Sequence, residues 1–168
     1  MYLDFLYIPL DYFSVLNKKE IRFEVHIPLA IGIASLCYSS CANQNSQYIF
    51  IQGVMQFIET LLGFTLAALT LLLSNDHMEE KTKNFVTKRK KRNKPISMYE
   101  LLILQFSHLI VVEALLCIAY YVADLFQIFP NQIVVMIANT LFIFVVFHIM
   151  LATIRAVSCI YLIATGLR

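Results

Sequence analysis

Apolar residues in this chain gather into four long runs separated by polar breaks, and none of the runs alternates as a half-buried strand would. They cover residues 25–42, 49–73, 98–123 and 132–157, and the last stays apolar to about residue 163. A hydrocarbon core of ~30 Å needs about 20 helical residues, so the first run is rather short and the others are long enough. Pro28 suits the first turn of its helix, where a missing N–H costs little. Ser74, Asn75 and Asp76 end the second run, and Ser97 with Glu100 three residues later reads as a capping box opening the third. Residues 1–16 are also apolar and aromatic, but Asp4, Pro9 and Asp11 interrupt them and the segment is too short to span. Two placements are open for it: an interfacial helix with its tyrosines at the polar boundary, or an arm packed on neighbouring helices.

Composition agrees with a membrane protein. Of 168 residues 60% are hydrophobic and 14% charged, far too apolar for an ordinary soluble domain. The expected fold is all-α: one polytopic transmembrane four-helix bundle occupying residues 1–168. A soluble bundle would have to bury four such runs completely, and outer-membrane strands would alternate over short segments.

Charge then sets the orientation. Lys18, Lys19 and Arg22 stand near the start, a dense basic cluster fills the loop 76–97, and Arg155 and Arg168 lie near the end. The two intervening loops carry no basic residue, so both termini and the central loop are expected in the cytoplasm. The asparagine- and lysine-rich loops, without a glycosylation sequon on the outer side, fit a bacterial inner membrane, and no cleavable leader is expected. In the central loop Lys88, Arg89, Lys90, Lys91, Arg92 and Lys94 are candidates for contact with anionic lipid or a cytosolic partner protein, beyond fixing topology. Direct nucleic-acid binding is not expected, because no aromatic platform or folded cytosolic module accompanies the charges.

Polar groups inside apolar helices are costly and point to function or to helix contacts. Gln52, Gln56, Glu59 and Gly63 share one face of the second run. Glu113 lies in the third, with Gln105 and His108 on a neighbouring stripe, and His148 lies in the fourth. At ~1.5 Å per residue Glu59 and Glu113 are both about 21 Å from the inner boundary, and the histidines about 10–14 Å. The set Gln52, Gln56, Glu59, His108, Glu113 and His148 could line an ion path or could hold helices and subunits together. Arg155, two turns below His148, is the expected anchor at the inner interface.

No enzyme is expected. The hydroxyls are scattered, with no base and oxyanion donors matched to them, and no short metal-ligand spacing or Gly-rich phosphate loop occurs. Neither a cofactor nor a metal is implied. The four cysteines read as buried hydrophobes, although Cys37 and Cys41 are one turn apart near the outer side, where oxidation could reach them.

The four short-looped spans, the basic linker and the stretch LLGFTLAALTLLLSN at residues 61–75 resemble small membrane proteins of bacterial antiphage systems, with the Kiwa membrane component similar in size and layout. The likeness covers the span layout and carries no catalytic residue. It implies a homo-oligomeric membrane sensor that recruits a cytosolic nucleic-acid-binding effector through the basic loop and the end of the last span. The reading that follows is an oligomeric inner-membrane sensor or scaffold. A small homo-oligomeric ion channel or permeabilising pore is the alternative.

Overall fold

A backbone in hydrocarbon must satisfy its own N–H and C=O groups, so continuous apolar sequence folds as helix. The computed structural model describes residues 4–39, 44–74, 86–91, 94–126 and 132–165. A 3-10 turn (Asp4–Leu6) leads into α1 (Tyr7–Val15), α2 (Lys18–Ile21), a π-helical segment (Arg22–His26) and α3 (Ile27–Ser39). There follow α4 (Gln44–Ser74), an antiparallel hairpin of β1 (Val86–Lys91) and β2 (Lys94–Ser97), α5 (Met98–Phe126) and α6 (Gln132–Thr165).

Three helices are long and apolar enough to cross a membrane, at Ile51–Ser74, Met98–Leu125 and Ile133–Leu162. The chain is a multi-pass helical membrane protein. The run expected at 25–42 differs: α3 has 13 residues, about 20 Å of helix, and the turns before it carry Lys18, Lys19, Glu20, Arg22 and Glu24. The rest of that expected span, residues 40–42, lies outside the described residues, as does Cys41. At the other extreme α6 has 34 residues, about 51 Å, longer than a bilayer core requires.

Packing departs from a closed bundle. α4 packs on α5, α5 on α6, and α6 on α3, so α4 and α3 form the two ends of a row. α5 and α6 are the inner helices, and half of the apolar stretch of α5 is buried, against 17% for each of α4 and α6. The main core joins Ile58 and Leu72 of α4, Leu102, Phe106 and Leu109 of α5, and Ile149, Ala152 and Ala156 of α6. Lipid tails are as apolar as these side chains, so close packing rather than removal from water holds the row together. Gly32 shows how close: a Cβ there would sit 3.1 Å from the Thr140 carbonyl oxygen and 3.3 Å from Phe144 Cβ.

The basic loop is more ordered than a loop. Thr87 Oγ1 donates to the Ile96 carbonyl at 2.7 Å, and Ile96 is buried against Tyr12, Val15 and Leu16 of the N-terminal arm and Leu101 and Leu104 of α5. Residues 75–85 and Arg92 lie outside the described residues. At the foot of α5 the Ser97 N–H donates to Glu100 Oε2 at 2.8 Å while the Glu100 N–H donates to Ser97 Oγ at 3.2 Å, a reciprocal cap. α1 docks on the hairpin and α5 through one face, leaving Tyr7 and Leu10 exposed, as are Phe5 and Leu6 of the preceding 3-10 turn.

Candidate functional site

The site begins with a backbone defect. Pro28 has no N–H, so the carbonyl four residues earlier, that of Glu24, loses its usual helical donor, and the proline ring crowds it. The chain answers with the π-helical turn at Arg22–His26, in which the Ile27 N–H bonds to the Arg22 carbonyl. His148 of α6 supplies the missing donor, its Nδ1 lying 2.8 Å from the Glu24 carbonyl oxygen. A carbonyl can only accept, so His148 carries its proton on Nδ1. In neutral rings the rest follows: His148 Nε2 accepts from His108 Nε2–H at 3.0 Å, leaving His108 Nδ1 a bare lone pair. That atom is indeed buried with no hydrogen-bond partner.

The Glu24 side chain is fully buried and faces Arg155. Its Oε1 is 2.8 Å from Arg155 Nε, and its Oε2 accepts from the Tyr12 hydroxyl at 2.7 Å. Tyr12 Oη in turn accepts from Arg155 Nη2 at 2.7 Å, and its ring stacks on His108 with centroids 3.8 Å apart. Gln105, with its amide oxygen toward the guanidinium, accepts from Nη2 and Nε at 3.1 Å. Burial is the main reason the Tyr12 phenol ionises far above its ordinary range; the Arg155 charge opposes this and the Glu24 carboxylate reinforces it.

Glu20 extends the cluster to the basic hairpin. Arg89 of β1 grips it with both nitrogens, Nη1 to Oε2 at 3.0 Å and Nη2 to Oε1 at 2.5 Å, while Arg155 Nη1 stands 3.5 Å from Oε2. The Asn17 N–H also donates to Glu20 Oε2, at 2.8 Å, fixing the carboxylate at the start of α2. Two carboxylates and two guanidiniums thus meet with no net charge, the arrangement that makes buried ions tolerable. Lys91 adds a pair to Asp11 of α1 at 2.9 Å.

The residues singled out in the sequence fall in three places. His108 and His148 lie inside this ionic cluster. Glu113 is buried between α5 and α4, where Thr65 Oγ1 donates to its Oε2 at 2.7 Å. Gln52, Gln56 and Glu59 are exposed on α4 at the end of the row, and the Tyr121 hydroxyl donates to Glu59. Arg155 turns inward rather than toward headgroups, its side chain 14% exposed. Of the hairpin cations, Arg89 and Lys91 are held by ion pairs within the chain, and Lys90 and Lys94 are exposed. Tyr12, Glu20 and Glu24 escaped the sequence reading, although Glu24 four residues before Pro28 and Asn17 three before Glu20 were legible signals.

The chain matches no protein-family model, no curated protein and no solved structure.

Proposed function

We propose that the protein is a homo-oligomeric scaffold or sensor of the bacterial inner membrane, with four membrane passes and both termini in the cytoplasm. The hairpin is its output surface to a cytosolic protein. One observation carries the reading: Glu20 is shared by Arg89 of the hairpin and Arg155 of the last helix, so the basic surface is tied to the transmembrane row. A loop serving only as a topology signal would need no such tie. α3 is the short fourth pass, with Lys18, Lys19 and Arg22 at its inner end.

Oligomerisation is supported by α4. Gln52 and Gln56 are exposed at bilayer depth, where unpaired polar groups are expensive, and Glu59 beside them is exposed with Tyr121 as its donor. A glutamine amide both donates and accepts, so the same face on a second copy satisfies it. The resemblance in span layout extends the reading to phage defence, with the cytosolic partner a nucleic-acid-binding effector. The same outward polar face supports the second reading, an ion-conducting path formed between copies.

The test is affinity purification from the native host with and without Lys90→Glu/Lys94→Glu, two exposed hairpin cations. The variant should lose a co-purifying cytosolic protein while the oligomer mass in detergent stays the same. Co-purification unchanged by the charge reversal would reject the hairpin as output. If Glu59→Gln alters conductance in liposomes, the channel reading prevails instead.

A further inference from the structure

α3 stands at the opposite end of the row from α4, packed chiefly against α6, and Ile27, Ala30 and Ala34 on its outer face are exposed. That face carries a shallow, open groove of about 660 Å³ running along residues 19–34. Lys19, Arg22 and His26 line one end, and all three are exposed. Phe23, Ile27, Ala30, Ile31 and Ala34 supply the apolar lining. Lys19 and Arg22 have no carboxylate partner among the described residues. The acids of the same turns, Glu20 and Glu24, point the other way and are engaged by Arg89 and Arg155. His26 spends Nδ1 on the Ile21 carbonyl at 3.3 Å, which leaves Nε2 toward the groove end.

We infer that this groove binds one anionic phospholipid, with its phosphate on Lys19, Arg22 and His26 and an acyl chain along Ile27, Ala30 and Ala34. The inference rests on α3 entering the bilayer, as proposed above. Length agrees: Arg22 to Ala34 spans about 18 Å of helix, close to one leaflet of a ~30 Å core. Charge selects the headgroup, because two cations with no carboxylate partner among the described residues, set at the membrane boundary, favour a net negative lipid over a zwitterionic one. Charge also argues against a second copy here, since the like faces of two protomers would bring Lys19 and Arg22 against Lys19 and Arg22. An acidic peptide would satisfy the cations but leave the apolar continuation uncovered. The groove is separate from the hairpin cations, two of which are consumed by internal ion pairs.

The test is native mass spectrometry of the full chain released from detergent after incubation with phosphatidylglycerol or phosphatidylcholine of matched acyl chains. Wild type should retain phosphatidylglycerol preferentially. Each cation near an anionic surface contributes about fivefold, so Lys19→Gln/Arg22→Gln should lower that retention roughly thirtyfold. Ala30→Leu/Ala34→Leu, which fills the groove and leaves the charge intact, should also lower it, whereas Lys90→Glu/Lys94→Glu should not. Equal retention of both lipids would overturn the proposal, as would loss on the hairpin substitution alone. Full displacement by soluble glycerophosphoglycerol would reduce the site to a headgroup site and overturn the acyl-chain claim. Failure of the spanning reading looks different: cysteines placed at Ala30 and Ala34 would then react with aqueous maleimide in intact membranes.

Discussion

Replacing Arg155 by methionine isolates the value of the buried ionic cluster. The Arg155 and Glu24 side chains are 14% and 1% exposed, so solvent screens their attraction little. Removing the guanidinium leaves the Glu24 carboxylate buried with one remaining hydrogen bond, from Tyr12. Glu20 keeps Arg89 and is far less affected. Breaking a buried pair from one side costs about 3–5 kcal/mol, because the survivor has neither partner nor water. For a chain of this length that corresponds to a melting temperature lower by about 6–20 °C, measurable by thermal unfolding in detergent. Adding Glu24→Gln to Arg155→Met removes the stranded charge, so the double variant should melt above Arg155→Met alone. The reasoning fails if Arg155→Met melts within about 2 °C of wild type, or if the two substitutions simply add.

Pro28→Ala restores an N–H opposite the Glu24 carbonyl, so His148→Leu should cost less in that background, by roughly 1 kcal/mol, when the four variants are compared by detergent unfolding. Gly32→Val should destabilise by about 1–3 kcal/mol in the same assay, since backbone oxygen and Phe144 leave no room, whereas Gly63→Ala meets nothing within 4 Å and should leave the monomer unchanged. Tyr12 holds its proton in the folded state to a pH above the unfolded value of 10.0, so its contribution is intact below that pH and fades as pH rises past it. A stability–pH profile should therefore fall more steeply above pH ~10 for wild type than for Tyr12→Phe.

Long apolar runs made α4, α5 and α6 legible, because an unbroken apolar stretch of that length admits little besides a membrane-spanning helix. The Ser97–Glu100 cap was readable for a similar reason: it is local, with both partners within four residues. What the sequence concealed is long-range. Tyr12 and Arg155 are separated by 143 positions, and Glu20 and Arg89 by 69; no periodicity links such residues. The snorkelling expected of Arg155 assumed that its neighbours were lipid, whereas α1, α2 and the π-helical segment bring Tyr12, Glu20 and Glu24 against it. The hairpin was hidden by composition, since six cations in seven positions look like solvated coil until Thr87 and Ile96 are seen to anchor the strands.

Geometry within the cluster also bears on how the membrane helices could be coupled to the hairpin. Arg89 holds Glu20 through two short bonds, while Arg155 reaches the same carboxylate only at 3.5 Å and holds Glu24 at 2.8 Å. The two acids are therefore already divided between the hairpin and the last helix, yet each lies within reach of the same arginine. A small shift of α6 toward α2 would let Arg155 compete with Arg89 for Glu20, provided that its Nε keeps hold of the buried Glu24. Coupling of that kind requires two arrangements of similar energy. Glu20→Gln weakens that competition: it should loosen the hairpin, seen as faster proteolysis there, while the Arg155–Glu24 pair and the row of helices stay intact. Equal protease resistance in wild type and Glu20→Gln would mean that the hairpin is held by Ile96 and the Lys91–Asp11 pair alone, and that Glu20 transmits nothing.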